Sequence, residues 1–75
     1  MNFDKDLDAR GLSCPLPILK TKKSLADMTC GQVLRISATD HGSMKDMQAF
    51  ARQTGNTLLF AAEDNGEYIF FMQKK

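Results

Sequence analysis

The chain has 75 residues, 43% of them hydrophobic, and its formal net charge at neutral pH is +1. A chain of this length forms one domain with a thin core, and we expect that domain to span residues 1–75. The small net charge argues against a nucleic-acid-binding arm and a polybasic membrane anchor, and no apolar run approaches the roughly 20 residues of a membrane span.

Six secondary-structure elements are predicted from the spacing of apolar residues, because alternation indicates a strand and recurrence every three or four residues indicates a helix. In chain order they are a strand at 3–9, a helix at 15–28, a strand at 32–40, a helix at 43–54 and two strands within 57–73. The order βαβαββ implies parallel strands across each crossover and a final antiparallel hairpin. We therefore predict an α/β (α+β) two-layer sandwich, with a mixed four-stranded sheet and two helices on one face.

The same spacing predicts which side chains share a face. The predicted sets are Phe3, Leu7 and Ala9 on the first strand, Ile18, Thr21, Leu25 and Met28 on the first helix, Leu34, Ile36 and Ala38 on the second strand, and Met44, Met47, Phe50, Ala51 and Thr54 on the second helix. Glycine usually terminates a helix, so Cys30-Gly31 and Gly55 are the predicted helix ends. Ser43 with Asp46 resembles a capping box at the start of the second helix.

The last two strands are predicted to form a hairpin, because Asn65-Gly66 is a strong signal for a two-residue turn. Such a turn pairs Ala62 with Ile69 and Phe60 with Phe71, and it places Leu59 on the opposite face. The helices cover only one face of the sheet, so apolar surface left on the hairpin could mark a dimer or partner patch, or simply fill the edge of the core.

Cys14 is followed by Pro15 and Pro17 where the first helix is predicted to begin. If Cys14 is the N-cap residue, Pro15 occupies N1 and Pro17 occupies N3, where proline is tolerated. The thiol then lies at the positive end of the helix dipole, which lowers the pKa of a cysteine and favours the reactive thiolate. The sequence thus predicts a reactive thiol; the alternative is that Cys14 is a small buried hydrophobe.

The other residues with chemical potential are Cys30, Asp40 and His41. Cys30 is predicted to be a partly buried loop residue about 20 Å from Cys14, beyond the reach of a disulfide. With no cysteine cluster and one histidine, we expect no metal site and no cofactor. Loops that follow parallel strands emerge at one edge, so Asp40 and His41 should lie on the side of Cys14. They could form a Cys–His nucleophile pair, but a turn before the helix is the preferred interpretation.

The segment LDARGLSCPLPILKTKKSL (7–25) resembles the Cys-Pro-x-Pro signature of the TusA/SirA-like family of small sulfur-carrier proteins, and residues 38–56 and 68–75 are also similar to that family. The resemblance implies a βαβαββ sandwich that carries persulfide sulfur on Cys14. It implies a cysteine desulfurase or rhodanese-like donor, an acceptor protein with a thiol, and a role in tRNA thiolation or related sulfur trafficking. The family often has proline at the position of His41 and histidine at that of Asn56.

A docking surface beside Cys14 is a further expectation. Leu16, Lys20 and Lys23 share the outer face of the first helix, where Leu16 could anchor a partner and the lysines, with Arg10, could steer an acidic one. The alternative is a solvated helix face. A non-catalytic regulatory or protein-interaction module of the same fold remains a second hypothesis. We expect a monomer that binds protein partners but neither nucleic acid nor membrane, and the first ten residues, which lack the apolar run of a signal peptide, favour a cytoplasmic location.

Overall fold

The computed structural model describes all 75 residues and confirms the predicted element order. The elements are β1 (Lys5–Ala9), α1 (Leu16–Ala26), β2 (Val33–Ala38), α2 (Ser43–Thr54), β3 (Thr57–Asp64) and β4 (Glu67–Gln73). The strands form one sheet in the order β1-β2-β4-β3. β1 and β2 are parallel, whereas β4 is antiparallel to both of its neighbours, so the sheet is mixed as predicted. Neither helix has the length and continuous apolar surface that a bilayer crossing requires.

The core lies between the sheet and the two helices. Alternate residues of β2 and β4 face it, as the period of a half-covered strand requires. These are Leu34, Ile36 and Ala38 on β2 and Tyr68, Phe70 and Met72 on β4. Leu25 of α1 and Met47 and Phe50 of α2 pack into the same cluster. Burying one such large apolar side chain contributes roughly 1.5–3 kcal/mol, so this single layer of contacts supplies much of the driving force for folding.

Helix α1 is shorter than predicted at both ends. It begins at Leu16 and ends at Ala26, with Asp27 as the C-cap residue, so the predicted end at Cys30-Gly31 was wrong. Met28 is buried, but it reaches the core from the turn after the helix, where its N–H donates to the Leu25 carbonyl at 3.0 Å. The three-residue spacing from Leu25 to Met28 is the spacing of a helical turn, and for this reason the sequence predicted a longer helix.

Helix α2 begins without the predicted capping box. Its N-cap residue is Gly42, and no side chain caps the helix. Ser43 is the first helical residue, and its buried hydroxyl has no hydrogen-bond partner. At the other end Gly55 adopts a left-handed φ of 80° as the C-cap residue, which confirms the predicted terminator. Thr54 is exposed rather than part of the inner stripe.

Phe3 does not share the inward face with Leu7 and Ala9. β1 begins only at Lys5, so the alternation of the strand does not extend to Phe3. Its ring instead packs on the face of the sheet away from the helices, 6.1 Å from the ring of Phe71, with the Arg35 guanidinium carbon 4.5 Å from the ring centroid. A cation–π contact thus covers part of this aromatic surface.

The β3–β4 hairpin has the predicted turn and pairing. Asn65 and Gly66 both have positive φ, Ala62 pairs with Ile69, and Phe60 pairs with Phe71. The predicted face of Leu59 was wrong because β3 has an irregularity between Leu58 and Phe60. An extra residue in one strand shifts the alternation by one position. Leu58 consequently packs against the core, while Leu59 is exposed.

The irregularity in β3 predicts different stabilities for two neighbouring alanine variants. Leu58→Ala should lower the free energy of unfolding by about 1–3 kcal/mol, because a partly buried leucine loses its core contacts. Leu59→Ala should change it by no more than about 0.5 kcal/mol, as is usual for exposed positions. Urea denaturation of the two variants measures both values. Equal losses, or a larger loss for Leu59→Ala, would contradict the observed register.

Candidate functional site

Cys14 is an exposed free thiol in the loop between β1 and α1. The N-cap residue of α1 is Pro15, so Cys14 lies one position before the cap and the prediction that it is the N-cap residue was wrong. Pro17 is buried and occupies the second helical position instead of the third. The peptide bond between Cys14 and Pro15 is cis.

The two prolines start α1 rather than interrupt it. Proline has no N–H, and the first N–H groups of a helix lack an acceptor within the helix in any case. Of the remaining donors, the Leu16 N–H donates to the Ser13 carbonyl at 2.9 Å and the Leu19 N–H donates to the Pro15 carbonyl at 3.1 Å. The Leu16 N–H is thereby paired with the backbone, and no side chain caps the start of the helix.

The loops after β1 and β2 meet at one edge of the sheet, as the parallel pairing predicts. The Gly11 N–H donates to the Thr39 hydroxyl at 2.9 Å and joins the two loops directly. Asp40 follows in the second loop, where its Oδ2 accepts the Gly42 N–H at 3.0 Å and shapes the turn before α2. This contact supports the interpretation of Asp40 as a turn residue.

Two carboxylates converge near Gly42. A Cβ atom placed on Gly42 would lie 3.2 Å from Oδ2 of Asp40 and 3.5 Å from Oδ2 of Asp46. Asp46 belongs to the first turn of α2, and its own N–H donates to the Gly42 carbonyl at 3.0 Å. Asp46 was not among the predicted site residues. Its position three residues after Ser43 predicted only a capping box.

The carboxylate pair raises the pKa of the Cys14 thiol, contrary to the prediction of a lowered value. The main cause is a hydrogen bond with the Asp46 side chain, followed by the negative charge of Asp46, partial desolvation and the charge of Asp40. A helix N-terminus carries about half a positive charge, whereas each carboxylate carries a full negative charge. These contributions favour the thiol over the thiolate, so the shift in the pKa of Cys14 is opposite in direction to the one expected from the helix dipole alone.

Residues 5–74 match a known family described as sulfurtransferase TusA. The chain belongs to the TusA family. The match covers nearly the whole chain and includes Cys14 with both prolines, so the family recognised in the Cys-Pro-x-Pro segment is confirmed.

Individual relatives agree with the family assignment. The chain is 55% identical over 73 residues to the sulfur carrier protein TusA of Allochromatium vinosum, covering 97% of this chain and 96% of that one. It is 36% identical over 72 residues to the sulfur carrier protein TusA of Pseudomonas entomophila, with coverages of 96% and 90%. The crystal structure of a SirA-like protein from Desulfitobacterium hafniense has a TM-score of 0.81 and 27% identity, with coverages of 93% and 96%. These names support the predicted sulfur-carrier role at the level of the family.

Three of the docking residues predicted from the sequence are exposed on α1. Leu16 is 43% exposed in the first turn of α1, close to Cys14 in the chain, and Lys20 and Lys23 are exposed. Leu19, one turn after Leu16, is 53% exposed but was not among the predicted docking residues. Its position three residues after Leu16 could have indicated that the two leucines are neighbours on the helix surface.

Arg10 is held by acidic neighbours. Its Nε lies 2.9 Å from Oδ1 of Asp8, and its Nη1 lies 3.6 Å from Oε2 of Glu67. Hydrogen bonds from the Arg10 side chain and backbone lower the pKa of Asp8 to about 2. The charge of Arg10 is thus largely balanced within the molecule, which weakens its predicted role in steering partners.

His41 and Cys30 are both at the surface. His41 is exposed in the turn that precedes α2, which agrees with the preferred interpretation of this segment as a turn. Cys30 is also an exposed free thiol, so its predicted partial burial was wrong. The structure contains no group of three or more His, Cys, Asp or Glu side chains arranged to hold a metal ion.

Removing the charge of Asp46 should make Cys14 more reactive. In Asp46→Asn the pKa of Cys14 should fall, because the variant lacks the carboxylate that stabilises the thiol and repels the thiolate. Iodoacetamide alkylation of Cys14 at pH 7 should become several-fold faster, and the wild-type and variant rates should converge at high pH. Peptide mapping by mass spectrometry measures the rates, with Cys30 of the same molecule as the internal control. An unchanged Cys14 rate, or equal acceleration at Cys30, would refute this role of Asp46.

Proposed function

We propose that this protein accepts persulfide sulfur on Cys14 from a donor such as a cysteine desulfurase or a rhodanese-like protein and passes it to a cysteine of an acceptor protein. The acceptor would serve tRNA thiolation or related sulfur trafficking, as the family resemblance implies. The observation that carries the proposal is the exposed Cys14 thiol at the start of α1, within the segment that matches the TusA family.

Each transfer is a thiol exchange at the outer sulfur of a persulfide. The Cys14 thiolate attacks the outer sulfur of the donor's persulfide, a new S–S bond forms on Cys14, and the donor cysteine leaves as a thiolate that takes up a proton. The acceptor thiolate then attacks the outer sulfur on Cys14, and the Cys14 thiolate leaves and is protonated again. One S–S bond forms and one breaks in each step, so no external oxidant or reductant is needed.

The surroundings of Cys14 suit a carrier better than a self-contained enzyme. A nearby second thiol would attack the persulfide and close an internal disulfide, but Cys30 is separated from Cys14 by the whole of α1. Neither of the two surface grooves of the protein is lined by Cys14. The donor and the acceptor therefore have to supply the rest of the reacting site.

Asp46 would couple reactivity to docking. In the free protein its carboxylate raises the pKa of Cys14, which favours the thiol over the more nucleophilic thiolate. A partner that brings a positive charge to Asp40 and Asp46 would reduce their repulsion of the thiolate. We propose that sulfur exchange is fast only in the docked complex, which limits loss of sulfur to unrelated thiols.

The partner surface in this proposal surrounds the start of α1. Leu16, with the neighbouring Leu19, offers exposed apolar side chains for docking, and Lys20 and Lys23 offer positive charge. Arg10 lies at the edge of the same loop, although its ion pairs reduce its contribution.

A regulatory or protein-interaction module of the same fold, without sulfur transfer, is the second candidate. The specific observation in its favour is the raised pKa of Cys14, because a protonated thiol is less reactive. The two candidates differ in whether Cys14 becomes loaded with sulfur.

Sulfur loading is the direct test of the proposed function. With a cysteine desulfurase, pyridoxal phosphate and free cysteine, the protein should gain the mass of one sulfur atom at Cys14. Cys14→Ser should gain none, because a hydroxyl cannot accept persulfide sulfur. Cys14 is exposed, so the variant should keep its free energy of unfolding within about 0.5 kcal/mol. Mass spectrometry of the intact protein and its peptides measures the loading.

The loading experiment has a built-in control in the second cysteine. Cys30→Ser should load as the unchanged protein does, and dithiothreitol should remove the sulfur. Several desulfurases and rhodanese-like donors have to be included, since a donor that does not dock cannot load the carrier. Sulfur on Cys30 alone, or loading that persists in Cys14→Ser, would refute the carrier role. Absence of loading by all donors would favour the regulatory module.

Leu16 tests the docking surface separately. Leu16→Glu should slow sulfur transfer from a competent donor by about tenfold, the effect of losing roughly 1–2 kcal/mol of docking energy. Its melting temperature should stay close to that of the unchanged protein, because Leu16 is 43% exposed. Leu59→Glu is the matched control, a similarly exposed leucine on β3 whose replacement should leave transfer unchanged. Equal slowing by both variants would contradict a specific role for Leu16.

A further inference from the structure

A groove of about 330 Å³ lies at the end of α1 that is remote from Cys14. We call it the lysine groove and define it by Lys22, Leu25, Phe50, Asn56, Lys74 and Lys75. Its walls come from the second half of α1, the end of α2 with the residue after its cap, and the segment after β4. Its volume is at the lower end of the range for ligand-binding pockets in proteins.

The lysine groove combines an apolar floor with a positive rim. Leu25 and Phe50, which belong to the hydrophobic core, contribute the apolar surface. Lys22, Lys74 and Lys75 contribute three ammonium groups, and no acidic side chain lines the groove. None of these lysines forms an ion pair; the ion pairs of the protein involve only Lys5, Arg10 and Arg35 as the cations. Their charge is therefore available to an external anion.

The two lysines after β4 are held in place by backbone hydrogen bonds. The Lys74 carbonyl accepts the Gly31 N–H at 2.9 Å, and the Lys74 N–H donates to the Gln32 carbonyl at 2.8 Å. The Lys75 N–H donates to Oδ1 of Asn56 at 2.8 Å. Fixing the backbone reduces the conformational entropy that binding would otherwise cost.

Gly55 leaves room for the stem of Lys75. A Cβ atom at Gly55 would approach Cδ of Lys75 to 3.0 Å and its Nζ to 3.3 Å. The lysine side chain therefore lies directly over the left-handed end of α2. This contact places the Lys75 side chain, including its ammonium group, against the end of α2 that borders the groove.

We propose that the lysine groove binds an acidic segment of a partner protein, with carboxylates on the three lysines and one apolar side chain on the floor of Leu25 and Phe50. Charge complementarity selects the acidic partner, and the apolar floor selects a peptide with a hydrophobic anchor. A nucleic-acid backbone would use the lysines but not the floor, and a net charge of +1 gives it little general attraction.

A segment bound in the lysine groove leaves Cys14 open. Cys14 precedes α1 and the groove is lined by helical residues from Lys22 onward, so at least the six helical residues 16–21, about 9 Å at 1.5 Å per residue, separate the two. The inference goes beyond the proposed function, since it adds a second partner surface. A protein docked there could hold the carrier while Cys14 exchanges sulfur with another protein.

The binding test uses the full chain and one defined probe, the peptide acetyl-Glu-Asp-Leu-Phe-Asp-Glu-amide. Titrated at low salt into ¹⁵N-labelled protein, it should shift the backbone amides of residues 22–26, 50–56 and 74–75. Alkylation of Cys14 at saturating peptide should proceed at the rate of the free protein. This readout involves no sulfur transfer, so it can fail or succeed independently of the proposed function.

Charge-reversal variants test the lysines. Lys22→Glu and Lys75→Glu should each weaken peptide binding by about tenfold, because an attraction becomes a repulsion. Lys45→Glu is the matched control: it makes the same change in net charge at an exposed position of α2 outside the groove, and it should change the affinity by less than about twofold.

Three comparison probes decide the class of partner. A peptide with serine in place of Leu and Phe, a short single-stranded RNA and free glutamate should all bind at least about tenfold more weakly than the acidic peptide. Equal binding of the serine peptide or of glutamate would show a site for anions in general, and tighter binding of RNA would show a nucleic-acid surface. Either result would overturn the proposal. So would an effect of Lys45→Glu on peptide affinity equal to that of Lys22→Glu, and so would amide shifts confined to the Cys14 loop.

Discussion

The parallel pairing of β1 with β2 determines where the chemistry of this protein lies. Ala9 at the end of β1 is paired with Ala38 at the end of β2, so the two following loops leave the sheet side by side. One loop carries Cys14 and the other leads through Asp40 to Asp46. An antiparallel pair would send these loops to opposite edges, and the thiol would have only the helix dipole as its electrostatic environment.

The electrostatics of Cys14 follow from that proximity. The start of α1 favours a thiolate, whereas Asp46 in the first turn of α2 and Asp40 in the loop before it raise the pKa of the thiol. A thiol that is exposed but has a raised pKa is accessible to a partner without being strongly reactive by itself. For a carrier of labile sulfur this combination has a physical advantage, because reactivity can be conferred by the protein that docks rather than be present at all times.

Charge is distributed unevenly along the molecule although the net value is only +1. Asp40 and Asp46 lie at the Cys14 edge, whereas Lys22, Lys74 and Lys75 gather at the far end of α1. Such a distribution orients a small protein in the field of its partners, and the two ends can attract partners of opposite charge. The net charge is a sum over both ends and does not show this separation.

The sequence by itself determined the features that depend on neighbouring residues. The element order, the alternation along β2, the Asn65-Gly66 turn and the left-handed Gly55 all follow from local spacing and backbone preference, and the Cys-Pro-x-Pro segment was sufficient to identify the family. What only the tertiary structure decided are features that join distant parts of the chain. The outward position of Leu59 depends on an irregularity in the pairing of two strands. The raised pKa of Cys14 depends on the carboxylate of Asp46, 32 positions later in the chain. The lysine groove depends on residues from three separate segments. Charges and packing act through space, so their effects cannot be read from spacing along the sequence until the fold is known.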